Sequence, residues 1–423
     1  MNLKEKLSSK NGKFAANTIF LFILTFSNYL FNFITLPYQT RVLGPEIFGN
    51  IGFATSVMTY FQLVMEFGFM LSATEDVSKN RDDKKAVSRI FTSVMCCKVI
   101  LFVLCAAILV ILCNTVGRFK TDPLLFYLYF ISYSIFTFIP DFLYRGIEDM
   151  RAITIRSVFI KMFSTCMIFI FLKEASQYYM VPVFTGIGNL AAVVFVLIHV
   201  KKLGFGFTKI SIGDILFSFR RSAYYFFSRI ASAVYTATNT MILGFVYGSG
   251  SALVGHYSTA EKGISVAKQV ITPITDSLYP HMVKHRNFRL VKKLLLLGMP
   301  VFFVGCSIVM IIANPLCAFV FGSEYYEAGN YLRLLAPVVF FSYPATIFGF
   351  PMLSPMGLSK HANLSVVFGA ALQLAMIAVI HFTMGLTPAN ICVATCITEV
   401  FTCVYRVIVV VKNRRLMKEN TEN

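Results

Sequence analysis

From Phe91 to Cys113 the chain reads FTSVMCCKVILFVLCAAILVILC, with Lys98 as its one charge and only apolar residues and cysteine after it. A bilayer core takes about 20 such residues as a helix. In lipid a helix is the default, because no water is present to pair free backbone groups. Outward from this segment lie eleven more apolar runs, at 14–36, 47–72, 122–144, 155–173, 178–200, 222–246, 252–279, 293–313, 330–352, 361–383 and 388–411. The fold class that follows is all-α integral membrane, with about twelve transmembrane helices. Composition agrees: 57% of residues are hydrophobic and 14% charged, where soluble chains hold about 45–50% and about 25%.

Lysine and arginine set the orientation. With the N-terminus in the cytoplasm, the inner segments carry 28 of the 38 basic residues and the outer loops carry four, Arg41, Arg118, Lys120 and Lys173. Both termini are therefore expected to be cytoplasmic. The net charge of +18 follows from the same asymmetry. It anchors the inner face to anionic lipid, so no nucleic-acid partner is needed. Residues 1–13 are polar and basic, and the apolar run behind them is too long for a signal-peptide core. That run is expected to be a retained first helix.

The halves resemble each other. Phe48–Ala54 (FGNIGFA) opens the second span and Val254–Ala260 (VGHYSTA) opens the eighth, at an offset of 206 residues. This predicts a six-helix lobe over 1–200, a cytoplasmic linker over 201–221 made pliable by Gly204 and Gly206, and a second six-helix lobe over 222–423 ending in a basic tail. Parallel repeats of this kind are related by an axis along the membrane normal.

Several function classes fall away. The loops leave no room for a soluble catalytic domain, and no P-loop is present, so no enzyme is expected. The ten cysteines all lie in apolar stretches without metal spacing and read as buried free thiols. No metal or other cofactor is expected beyond Na+ or H+ as a coupling ion.

What remains are ionisable and amide groups at membrane depth, where each is costly and faces protein or water. Glu261, Ser265, Lys268, Thr272 and Asp276 recur at helical spacing along the eighth span, with Lys262 to one side. Arg229 and Asn239 lie in the seventh span, and Asn28, Asn32 and Thr35 share a face of the first. Arg229, Lys262, Lys268, Asn28, Asn32 and Asn239 are thus the candidate substrate-lumen residues. Glu66, Glu261, Asp276 and Glu399 are the candidates for ion coupling. Lys98, Arg333 and Arg406 read as cations near span ends, with snorkelling expected for the last two.

Leu36–Gly49, LPYQTRVLGPEIFG, resembles the first loop of the Wzx-type polysaccharide flippases, members of the superfamily of multidrug, oligosaccharidyl-lipid and polysaccharide exporters. That family carries a "TRxLG…FG" stretch there, matched by Arg41, Gly44 and Gly49. Tyr144–Met150 is similar to the family's "QGxExM", matched by Gly146 and Glu148, with Arg145 standing where Gln is usual. The resemblance implies a V-shaped, two-lobed protein like the multidrug exporters, in the bacterial inner membrane. It would move an undecaprenyl-pyrophosphate-linked oligosaccharide repeat unit to the periplasmic leaflet for O-antigen or capsule synthesis. Its partners would be that lipid-linked oligosaccharide, membrane lipids, and polysaccharide polymerase and chain-length machinery. Membrane potential or an ion gradient would drive it. The alternatives are a multidrug or cation antiporter, or a flippase for another polyprenyl-linked glycan such as lipid II.

Overall fold

The computed structural model describes residues 10–248 and 250–415, and every regular element among them is helical. In chain order these are α1 (Lys10–Glu66), α2 (Phe69–Lys79), α3 (Lys84–Thr115), α4 (Gly117–Lys120), α5 (Pro123–Thr137), α6 (Asp141–Gly146), α7 (Met150–Phe171) and α8 (Met180–Lys202). They continue as α9 (Ile212–Tyr247), α10 (Ala252–Gln269), α11 (Thr272–His285), α12 (Phe288–Phe321), α13 (Ala328–Phe348), α14 (Phe350–Leu353), α15 (Ser359–Thr383) and α16 (Pro388–Lys412). Parts of the expected basic termini, residues 1–9 and 416–423, lie outside the described residues.

Helix α3 shows why this is a membrane protein. Cys97, Leu101, Cys105, Leu109 and Cys113 repeat every fourth residue and are buried, which places them on one helix face. The opposite face shows Val99, Ile100, Val103, Leu104 and Ile111 at the surface. Water would penalise that apolar face and lipid does not. Nine helical segments among the described residues are long and apolar enough to cross a membrane. The first runs from Ile19 to Lys79 and holds the first two expected spans. The expected seventh and eighth spans fall outside this set; α10, 18 residues long, carries Glu261, Lys262 and Lys268.

Two boundaries move. The eighth span breaks between Gln269 and Thr272, so its polar stripe continues only across a joint. The outer loop expected over 314–329 shrinks to 322–327, because α12 stays helical through Pro315 to Phe321.

Packing divides the chain into two compact units, Met1–Val42 with Ala54–Ile230, and Leu43–Phe53 with Ala231–Asn423. In the first unit α8 packs along α5 and α7, and α2 packs against α6, around Phe69, Val77, Phe91, Leu143 and Tyr144. The linker following α8 lies against α3, with the Gly206 and Thr208 amides donating to Ser88 Oγ and Thr92 Oγ1. In the second unit α13 packs on α10, α12 and α16, and α15 packs on α16.

The sequence motifs have structural causes. Gly44 has φ 69° and ψ 168° and kinks α1 where the chain passes between units; only glycine takes that conformation cheaply. Beyond the kink, Gly255 lies so close to Pro45 that an added Cβ would stand 1.8 Å from the Pro45 carbonyl oxygen. A Cβ on Gly52 would stand 2.5 Å from Ser258 Oγ. Gly146 lets α6 approach Val77 of α2, and Glu148, at φ 61°, pairs with Arg81 at 2.8 Å.

Cations in the helices are mostly tied to protein. Lys98 is 3% exposed and donates to the Thr137 carbonyl. Arg333 donates to Met310 O and Asn314 Oδ1. Arg406 donates to Ser365 Oγ and the Ala345 carbonyl. Arg406 is therefore held inside its unit and does not snorkel, whereas Arg333 is bonded to α12 but stays exposed. Arg156 and Asp141 form a buried two-pronged pair at 2.6 and 3.1 Å. Removing one partner strands a charge, so Asp141→Ala is expected to cost about 3–5 kcal/mol. Replacing both residues with apolar ones of similar volume should recover most of that. Thermal unfolding of the purified protein in detergent measures both.

One charge cluster, Arg221 with Glu75, Asp76 and Lys79, lies outside the expected apolar runs 47–72 and 222–246. Arg221 on α9 binds Glu75 at 3.1 Å and Asp76 at 2.8 Å on α2. Hydrogen bonds from Lys79 and then Tyr225 hold the Glu75 carboxyl down at about 2. A carboxylate depressed on folding adds stability above its ordinary pKa and loses it as pH falls through the folded value. Unfolding temperature is thus expected to decline as pH drops from about 4.5 to about 2, with a shallower decline in Glu75→Gln.

Candidate functional site

Each unit holds a polar cavity. In the first unit it measures about 580 Å³ and is lined by two facing stripes. Asn28, Asn32, Thr35 and Gln39 supply one from α1, at spacings of four, three and four. Ser157, Lys161 and Ser164 repeat that spacing on α7, so both stripes follow from helical geometry. Gln62, Asp141, Arg145 and Asn189 complete the polar lining.

Charge in this cavity is unbalanced. Asp141 is neutralised by Arg156, whose side chain is 3% exposed. Lys161 and Arg145 have no carboxylate or hydrogen-bond partner for their side chains among the described residues. A space whose amides, hydroxyls and two cations are set among apolar side chains such as Phe31, Phe136 and Ile160 can take a polar anion.

The second unit's cavity measures about 320 Å³ and is lined by Asn239, Glu261, Ser265, Lys268, Gln269, Thr272, Ser342, Thr346 and Thr395. Lys268 Nζ lies 3.3 Å from Glu399 Oε2, and Ser342 donates to the same carboxylate. Glu261 accepts from the Thr240 and Tyr257 hydroxyls. Asn239 donates to Thr395 Oγ1 at 3.0 Å and accepts from Gln373 Nε2 at 2.9 Å. Gln269 Oε1 is buried there with no hydrogen-bond donor among the described residues. The lining itself holds one carboxylate, Glu261, and one lysine, Lys268, which is already paired with Glu399.

Of the lumen residues expected from sequence, Asn28 and Asn32 line the first cavity, and Asn239 and Lys268 line the second. Arg229 pairs with Glu66 at 3.4 Å and lines neither cavity. Lys262 lies 4.2 Å from the centre of the Phe48 ring, a cation–π contact. Asp276 is exposed on α11, beyond the helix break. Lys161 was missed because it counted as an inner-loop charge, and Arg145 was noted only as a departure from the motif, not as a cavity residue. The three-four spacing of Ser157, Lys161 and Ser164 was the available signal.

An all-helical membrane chain whose cavities carry amide, hydroxyl and charged groups has the build of a membrane transporter. The chain belongs to the family described as polysaccharide biosynthesis protein, which matches residues 14–286. Two relatives carry the name "Putative O-antigen transporter". That of Escherichia coli (strain K12) is 26% identical over 368 residues, covering 85% of this chain and 88% of the relative. That of Shigella dysenteriae is 26% identical over 370 residues, covering 85% and 90%. Among solved structures, the lipid II flippase MurJ in an inward closed conformation superposes with a TM-score of 0.68 at 13% identity, over 93% of this chain and 88% of that one. An outward-facing multidrug-resistance transporter of the MATE family gives 0.59 at 13% identity, over 97% of both chains. At that identity the likeness is one of fold.

Proposed function

We propose that this protein is a flippase of the bacterial inner membrane. It carries an undecaprenyl-pyrophosphate-linked oligosaccharide repeat unit from the cytoplasmic to the periplasmic leaflet for surface polysaccharide synthesis. The observation that carries this reading is the first unit's cavity, with its amide and hydroxyl stripes around the uncompensated cation Lys161. The physical problem is a sugar headgroup whose unpaired hydroxyls each cost roughly 2–7 kcal/mol in hydrocarbon. Asparagine, glutamine, serine and threonine side chains replace the water those hydroxyls lose, and Lys161 compensates phosphate charge. The family and the names of its relatives support this reading. No catalytic step is required, and polymerase or chain-length machinery would act on the product.

Moving two negative charges to an outside-positive face is worth about 4.6 kcal/mol per 100 mV, so membrane potential suffices as a driving force. Should a coupling ion be used, Glu261 is the better placed carboxylate, because Glu66 and Glu399 are already paired with Arg229 and Lys268. The test is reconstitution. Proteoliposomes holding the purified chain should expose a labelled undecaprenyl-pyrophosphate oligosaccharide to an external lectin faster than protein-free vesicles, and faster still with the potential imposed. Equal rates with and without protein would defeat the reading.

A further inference from the structure

We infer that the foot of α9 and the linker before it, residues 201–220, form a docking surface for the anionic phospholipid headgroups of the inner leaflet. The inference goes beyond the flippase reading and does not depend on what is transported. Helix α9 is 36 residues long, or about 54 Å at 1.5 Å per residue, against a hydrocarbon core of about 30 Å. Its residues 212–221 also precede the apolar run that opens at Ser222. They nevertheless carry a bulky apolar face. Ile212, Leu216 and Phe217 are 77%, 63% and 61% exposed, and Phe207 in the linker is 66% exposed. Water would penalise that face, and the helix is too long to lie wholly within the hydrocarbon. The headgroup boundary is the medium that suits it.

The opposite face of the foot is fixed, so the exposure is set by the fold. Ile215 and Phe219 pack against the core of the first unit. Arg89 on α3 donates to the Asp214 carboxylate, and Ser93 donates to the Asp214 carbonyl. Charge then selects the lipid. Lys201, Lys202, Lys209 and Arg220 are exposed and flank the apolar residues along the chain. Asp214 is the one acidic residue between 201 and 220, and Arg89 already occupies it. Exposed apolar side chains among exposed cations match an anionic leaflet, where each lysine near the surface is worth about fivefold in binding.

The chain holds no tryptophan, so Phe217→Trp adds a single fluorescent reporter to the full-length protein. In phosphatidylcholine nanodiscs, phosphatidylglycerol brominated on its acyl chains should quench that reporter at a mole fraction roughly fivefold lower than brominated phosphatidylcholine does. Adding Lys201→Gln, Lys202→Gln and Lys209→Gln should bring the two lipids level while quenching itself persists. Leu216→Trp, on the same exposed face, should respond alike and carries the test if the first substitution harms folding. Absence of quenching by either lipid would overturn the docking surface. Equal quenching by both lipids with the lysines intact would overturn it as an anionic one, and so would a preference that survives loss of the three lysines. None of these readouts involves flipping, so failure here leaves the flippase reading standing, and failure of the lectin assay leaves this one.

Discussion

Replacing Lys161 with glutamine is expected to cut transport by two to three orders of magnitude while leaving the protein folded and in the membrane. The ammonium lies among Ser157, Ser164 and the α1 amides without a carboxylate to satisfy it. At an effective dielectric of about 20, one unit charge about 4 Å from another is worth about 4 kcal/mol. That is close to a thousandfold, so losing this one contact to phosphate dominates any other single change in the cavity. Folding should hardly suffer, because no native partner is stranded when the charge goes. Arginine at this position keeps the charge and should retain a measurable rate; glutamate should be as poor as glutamine or worse. Surface polysaccharide in a strain lacking the native gene, scored against protein level by immunoblot, reads the effect. Normal export by Lys161→Gln would remove Lys161 from the substrate path.

The second large effect concerns folding. Gly255→Ala places a methyl 1.8 Å from the Pro45 carbonyl oxygen, and backbone on both sides cannot step aside as a side chain does. Overpacking usually costs about 1–3 kcal/mol, and this substitution belongs at or above the top of that range. Gly52→Ala meets Ser258 Oγ, the movable end of a small side chain, and should cost clearly less. Thermal unfolding of both variants in detergent separates them. Equal stability would mean that the helix crossing is looser than its geometry indicates.

Much of the architecture was legible because the signals are local. The α3 run, the basic loops and the four-residue stripe from Cys97 to Cys113 depend on residues near one another in sequence. The first-span face of Asn28, Asn32 and Thr35 was also readable, since 3.6-residue periodicity alone puts those residues together. Gly44 was visible as part of a motif, though its reason, a backbone conformation closed to other residues, needed the structure.

The functional charges were harder to read. Arg229 and Lys262 looked like lumen cations because a charge within an apolar span is expensive. The structure gives the first a carboxylate and the second an aromatic face, and those partners come from distant parts of the chain. Lys161 looked ordinary because it falls where basic loop residues accumulate, yet it lines the first cavity with no carboxylate partner among the described residues. The sequence by itself determined the membrane class, the apolar helices and the basic asymmetry, because hydropathy and helical periodicity add up residue by residue. Only the tertiary structure decided which ionisable groups are available to a substrate. A charge is neutralised by whatever long-range neighbour folding brings within a few ångströms, and no local pattern records that neighbour.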